Sequence, residues 1–507
     1  MVVLVLPWIN PFALGPSPHV QPLLVSWACA ALVLGVVAAW RVRAGVLWGA
    51  VVWAWVTAAV LSAVMGLLQV LDLAAALAPW VNQSDPGTVY ANLRQRNQFA
   101  TLCTMGLAGL VWGWGNGAER RRTLGLGAGL AAVLVGVGLG LSGSRTGLLE
   151  LLALWALALI WRVGSAAAPG QARVWRVLLT GTLAYVLVAY AVPQWLGDGA
   201  PTVFARVLGG DALCSSRRTV WANVWQMVMQ KPWLGWGWDE LAYAQFMTPI
   251  DGPRFCDILD NAHNLPLHLA VSFGLPFALV AVLLILLLVW RAAPWRASAP
   301  QAHLAWAVLG VIGLHSLLEY PLWYGPFQIA LALALLRLGL PDDDQPVLGG
   351  SGRRWAAGLL AAAVLGLCIV LAQSYARVSN LYGVAATRAG IFDPFGELQE
   401  HDVFLFVDEV AFSRLALPLH RANAQEQYAL AEDLLHYSPE PRVIERLLES
   451  AEFLGRSSAV AFYKARYAQA FPERFIEWLA MEPHVPPEAA HGAPGSQAQA
   501  PASGTQP

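Results

Sequence analysis

An all-α, polytopic membrane fold follows from three observations on this chain. Apolar residues make up 57% of its 507 positions and charged residues only 12%. Repeated windows of about 20 residues carry no interior charge, which is the length a helix needs to cross the hydrocarbon core. The arginines, finally, cluster on alternate connections between those windows. Spans are predicted at 22–40, 45–66, 98–116, 123–141, 147–162, 177–195, 267–290, 303–319, 322–338 and 355–373, so the chain has about ten to twelve transmembrane helices. The first run, 2–14, is apolar but contains Pro7 and Pro11. It reads as a short, broken first crossing, with a cleaved signal peptide as the rival. The lack of a basic start and of a clear small-residue cleavage site weighs against the rival.

The arginines also orient the chain. Arg41/Arg43, Arg120 to Arg122, Arg162/Arg173/Arg176, Arg291/Arg296 and Arg353/Arg354 share one side, which the positive-inside rule makes cytoplasmic. The opposite, external side then holds the large loop and everything after about Ser374. Five regions result: N-terminal transmembrane helices (1–195), a large external loop (196–263), C-terminal transmembrane helices (264–373), a helical-hairpin domain (374–481) and a disordered tail (482–507). The hairpin domain is suggested by apolar and charged positions alternating at helical spacing, with Pro439 and Pro472 as breaks; it loosely resembles tetratricopeptide hairpins without a strict repeat. The tail is rich in Pro, Ala, Gly, Gln and Ser and cannot bury a core.

A net charge of −1, and no basic patch interleaved with aromatics, set nucleic-acid binding aside. The five cysteines show no metal-ligand spacing. Cys29, Cys103 and Cys368 lie in predicted helices, whereas Cys214 and Cys256 fall in the large loop, where a bridge and two free thiols are both open readings.

The chemistry-bearing residues gather on the external side. His263, in Asp260-Asn261-Ala262-His263-Asn264, stands at the entrance of a helix, as a cap or as a proton acceptor, and Asp260 can orient its ring. His268, one turn deeper, reads as packing. Arg217 and Arg218 precede the amphipathic stretch 220–229, with Arg206 upstream, and would place cations at phosphate or headgroup height. Arg145 lies where the topology rule disfavours arginine, so it needs a partner: a phosphate, or a carboxylate such as Glu150. The cluster Asn92-Leu93-Arg94-Gln95-Arg96-Asn97-Gln98 adds two more cations, and the turn His315-Ser316-Leu317-Leu318-Glu319-Tyr320-Pro321 adds a histidine, a carboxylate and a phenol. Glu319 reads as an ion-pair partner for an arginine or as a proton acceptor. Trp233, Trp236 and Trp238 offer either a sugar-stacking surface or interface anchors.

Several of these segments occur in an order that resembles one family. The turn Ser144-Arg145-Thr146-Gly147, the segment Arg217-Arg218…Trp221 with Pro232…Gly235-Trp236-Gly237, and His263-Asn264 with Gly274-Leu275-Pro276 are similar to the core of bacterial O-antigen ligases, O-antigen polymerases and PglL-type protein O-oligosaccharyltransferases. Arg94-Gln95-Arg96-Asn97 and His315-Ser316…Glu319-Tyr320-Pro321 resemble the protein-glycosylating branch. The resemblance implies transfer of a preassembled glycan from undecaprenyl pyrophosphate to Ser/Thr hydroxyls of periplasmic proteins such as pilin. It implies catalytic roles for His263, Gln95 and Tyr320, to which the local sequence adds Asp260 as the group that orients the His263 ring. Arg145, Arg217, Arg218, Arg94, Arg96, Glu319 and His315 would be substrate-binding, and no metal or cofactor is expected. An O-antigen ligase or polymerase acting on a glycan is the alternative. A transporter of an anion fits poorly, because the polar residues gather at one surface rather than at the midplane.

Overall fold

The computed structural model describes residues 1–13, 15–85, 87–113, 123–163, 171–196, 216–340, 343–382 and 405–481. Among them every regular element is helical, apart from one isolated antiparallel bridge between Arg43 and Pro346. The expected spans appear as α2 (Val20–Ala39), α3 (Ala44–Val70), α4 (Arg96–Trp112), α5 (Thr123–Leu141), α6 (Arg145–Val163) and α7 (Gln171–Leu196). After the loop helices α8 (Arg217–Gln230) and α9 (Leu241–Met247) come α10 (Leu265–Phe273), α11 (Leu275–Ala292), α12 (Pro300–Ser316), α13 (Gly325–Gly339) and α14 (Ser351–Tyr382). Five segments, within α2, α3, α7, α14 and α11 with the turn after it, are long and apolar enough to cross a bilayer on length and composition alone. The chain is a multi-pass membrane protein. In α11 only Ala278 is buried among eighteen residues, so its apolar surface needs lipid around it. At the other extreme, α4 buries every residue from Gln98 to Trp112 and forms the centre of the bundle.

The opening run is the short helix α1 (Val2–Ile9), which buries Val5, Pro7 and Trp8. Trp8 meets Phe327 edge-on at 5.0 Å, so α1 is built into the bundle. Eight residues rise only ~12 Å, too little for a full crossing.

What reads as one span at 267–290 is two helices broken at Gly274. The loop 232–238 clamps onto this break: Trp236 N–H donates to the Val271 carbonyl (2.8 Å), Gly237 N–H to Ser272 (3.0 Å) and Leu275 N–H to Pro232 (2.8 Å). Gly274 has φ +88°, and a Cβ there would lie 2.2 Å from the Trp233 carbonyl oxygen. Gly274→Ala should therefore sharply lower the amount of folded chain in membranes. Gly252 has a similar φ (+86°) with nothing within 4 Å, so Gly252→Ala should cost only the backbone term of ~1–2 kcal/mol. Equal levels of the two variants by detergent-extracted melting and immunoblot would contradict the clamp.

After α14 follow α15 (Val407–Arg414), α16 (Ala424–Tyr437), α17 (Pro441–Phe453), α18 (Ser457–Ala470) and α19 (Pro472–Ala480). Their shared core of Leu434, Leu435, Ile444, Leu447, Leu448 and Tyr467 also takes in Phe246 of α9. His436 Nδ1 meets Glu240 Oε2 at 2.8 Å, and its ring stacks on Tyr243 at 3.8 Å. Residues 383–404 and the tail 482–507 lie outside the described residues.

Candidate functional site

A buried carboxylate organises the site. Glu319 lies in the turn between α12 and α13, 3% exposed, with its N–H donating to the His315 carbonyl at 2.8 Å. Its Oε1 accepts from the Arg217 guanidinium and from Asn97 Nδ2 (2.9 Å), and its Oε2 is 2.6 Å from His263 Nδ1. Each partner is delivered by a helix start. Ser216 caps α8 and places Arg217 in its first turn. Gln95 caps α4, its Oε1 accepting from Gln98 N–H at 2.9 Å, which places Asn97. Ser144 Oγ accepts from Gly147 N–H (3.0 Å) at the start of α6 and donates to Asn97 Oδ1 (2.7 Å). Asn264 caps α10 through Leu267 N–H (3.0 Å), while its Nδ2 donates to the Leu317 carbonyl (2.9 Å). His263 itself has φ +51°, rare for a residue with a side chain, and is held there by its N–H donating to Asn261 Oδ1 at 2.9 Å.

The electrostatics follow from these contacts. Burial disfavours charge on Glu319, but the hydrogen bond from His263 and the Arg217 cation outweigh it, so its carboxyl sits below the usual range. Burial, with smaller effects from Tyr324 and Asp260, pushes the Tyr320 phenol well above its usual range, so it stays protonated. The Tyr320 ring meets His263 edge-on at 4.9 Å and stacks on Tyr324 at 5.8 Å. Arg96 and Arg145 open α4 and α6 next to Asn97 and Ser144, whose side chains are hydrogen-bonded to each other at 2.7 Å. Among the described residues no three His, Cys, Asp or Glu side chains converge as metal ligands.

Of the residues singled out in the sequence, His263, Arg217, Glu319 and Tyr320 meet directly, with Arg96 and Arg145 on the neighbouring helix starts. Others stand elsewhere. Asp260 is exposed, and Glu319, not Asp260, takes the ring nitrogen of His263. The reason is the turn at Asn261 and His263, which carries the ring inward from the position of Asp260. Arg94 is spent on backbone, donating to the carbonyls of Pro11 and Asn92 (3.5 Å to the latter) and so tying the N-terminal segment to the site. The Gln95 carbonyl oxygen is occupied as a cap. Arg218 is exposed and forms no ion pair among the described residues. His315 is fully buried and bonds to Thr101 (2.8 Å), so it belongs beneath the site and not on a substrate surface. His268 packs edge-on against Trp238 and Trp323, as expected. Asn97 and Ser144 carry weight that the sequence reading did not assign them. The available signal was their place at the start of helices too apolar to need polar residues there. Cys256 is disulfide-bonded, and Cys29, Cys103 and Cys368 are free. Cys214 and Arg206 lie outside the described residues.

Comparison with known proteins follows the same segments. Residues 130–281 match the O-antigen ligase family, 303–485 the C-terminal part of the virulence factor membrane-bound polymerases, and 89–114 the protein glycosylation ligases. These segments are similar to the O-antigen ligase superfamily, and the stretch 89–114 to its PglL-type group. The matched stretches contain Asn97, Ser144, Arg145, Arg217, His263 and Glu319, the residues that the fold assembles. A general O-oligosaccharyltransferase from Acinetobacter baylyi is 25% identical over 202 residues, covering 38% of this chain and 33% of that protein. The similarity thus spans about a third of the curated relative. No solved structure matches the chain.

Proposed function

We propose that the chain transfers a glycan from a lipid pyrophosphate to a Ser/Thr hydroxyl of an exported protein, on the periplasmic face of a bacterial inner membrane. The observation that carries this reading is Glu319, which holds His263 and Arg217 on its two oxygens. His263 Nδ1–H donates to Glu319, which leaves the Nε2 lone pair for the acceptor hydroxyl. As the acceptor oxygen bonds to the anomeric carbon, its proton passes to Nε2 and the carbon–oxygen bond to pyrophosphate breaks. Arg145, Arg96 and Arg217 would carry the charge that develops on the leaving group. Tyr320, protonated and paired with Tyr324, walls the site beside the His263 ring. One contrast supports the membrane orientation. The site arginines sit at one end of the bundle, whereas Arg43, Arg337 and Arg354 sit at the other, bonded to Asp344, Asp343 and the Ala38 and Ala39 carbonyls.

A protein acceptor is favoured because α9, in the loop leading to His263, shares a core with the C-terminal helices, which offer a peptide-sized surface next to the site. The match to O-antigen ligases supports a second reading, transfer to a lipid A core sugar or a growing glycan. Co-expression with a pilin and an undecaprenyl-pyrophosphate-linked oligosaccharide separates the two. A pilin heavier by one glycan mass is the expected result. An unchanged pilin with a glycan-extended lipopolysaccharide would select the second reading.

A further inference from the structure

Beneath Glu319, inside the bundle, three polar side chains that touch neither solvent nor the reacting groups meet at one hydroxyl. Thr101 Oγ1 lies 2.9 Å from the Asn97 carbonyl, 2.6 Å from Glu150 Oε1 and 2.8 Å from His315 Nδ1. Thr101, Glu150 and His315 are all 0% exposed. Thr101 and Glu150 each stand five residues beyond the start of their helices, about 7 Å below the ends.

A hydroxyl has one proton to donate and two lone pairs that accept. The Asn97 carbonyl can only accept. All three contacts are therefore filled only when Thr101 donates to Asn97 while Glu150, carrying its proton, and His315, as the Nδ1–H tautomer, both donate to Thr101. An ionised Glu150 would leave one contact unfilled. It would also bury a charge at membrane depth, with its second oxygen beside Thr104 but completing no hydrogen bond. Both ends of this cluster lead upward. Asn97, whose carbonyl receives the Thr101 proton, holds Glu319 Oε1. His315, whose ring Thr101 fixes, gives its carbonyl to the Glu319 N–H.

We infer that Glu150, Thr101 and His315 form an uncharged clamp that positions Asn97 and the Glu319 turn, and through them His263. The three are positioning residues. Their effect on turnover rests on His263 and Glu319 being the reactive pair proposed above.

The test uses the full chain in lipid nanodiscs, with an undecaprenyl-pyrophosphate-linked oligosaccharide and a pilin as substrates. Thr101→Val keeps the shape and removes the hydroxyl, so kcat should fall by about 10- to 100-fold with the donor KM unchanged, as for a small misplacement of reacting groups. Thr101→Ser should restore kcat to within a few-fold of wild type. Glu150→Gln keeps a donor toward Thr101 and should stay close to wild type, whereas Glu150→Ala should behave like Thr101→Val. Without any substrate, the infrared spectrum should show a carboxylic-acid C=O band that Glu150→Gln removes. Wild-type kcat in Thr101→Val, Glu150→Gln as damaging as Glu150→Ala, or no such band would each overturn the clamp. If Thr101→Val fails to accumulate, the band and the Gln and Ser variants still decide. The parent reading fails separately, through transfer that survives His263→Ala.

Discussion

Glu319→Gln should lower kcat by about 10³- to 10⁴-fold, the loss seen when the carboxylate behind a catalytic histidine becomes an amide. The direction follows from the contacts. Oε1 accepts from both Arg217 and Asn97, so the amide oxygen of a glutamine stays there and its NH₂ faces His263. Nδ1 must then accept, the ring proton moves to Nε2, and the nitrogen facing an acceptor hydroxyl is no longer a base. Arg217 also loses the charge that neutralises it. Glu319→Asp keeps the charge but retracts it and should be intermediate. The same carboxylate makes stability depend on pH. Its folded value lies below the usual carboxylate range, so the pairing contributes fully above that range and is lost only as pH falls through the lower value. Melting of the wild type should hold through mildly acidic pH and drop below it, and Glu319→Gln should lack that step. Wild-type turnover in Glu319→Gln would remove the carboxylate from the mechanism.

His263→Ala should reduce transfer by about 10²- to 10⁴-fold, the usual contribution of a positioned base, while membrane level and donor binding stay near wild type. Loss of the ring also removes its contact with Tyr320 and one bond to Glu319, but the Arg217–Glu319 pair and the Asn97 bond remain to hold the turn. His263→Asn tests the chemistry more narrowly, because its amide can still donate to Glu319 while offering no base. It should be as inactive as the alanine variant. Substantial pilin glycosylation in either variant, read by intact mass, would exclude His263 as the base. His268→Ala, which removes packing beneath Trp238 and Trp323 and a long 3.4 Å acceptor contact for the Ala262 N–H, should be milder.

Much of this protein was legible from residue order because membrane solvation imposes simple rules. Uncharged runs long enough to satisfy their own backbone in lipid have to be helices, and all ten expected spans are. The break at Gly274 was not legible, because hydropathy does not register a loop that returns from residues 232–238 to dock there. The site was legible as a set of residue types: an arginine out of place at 145, another opening an amphipathic helix at 217, a histidine at a helix entrance, and a carboxylate at the edge of an apolar run. Their pairings were not. Asp260 is three residues from His263 and looked like the ring's partner, yet Glu319, 56 residues away, takes it.

Composition and the placement of charge by themselves determined that the chain is helical, crosses a membrane repeatedly and collects cations, a histidine and a carboxylate at one end. Those are properties of transfer into lipid, which each segment experiences on its own. Only the tertiary structure decided which groups touch. Three segments from distant parts of the chain, carrying Asn97, Arg217 and His263, meet at Glu319. The positive φ of His263 turns its ring away from Asp260, Arg94 is drawn onto backbone carbonyls, and His315 is sealed below with Thr101 and Glu150. A buried carboxylate has to be paired, and which cation and which ring pair with it depends on the directions in which packed helices begin, a property no single segment carries.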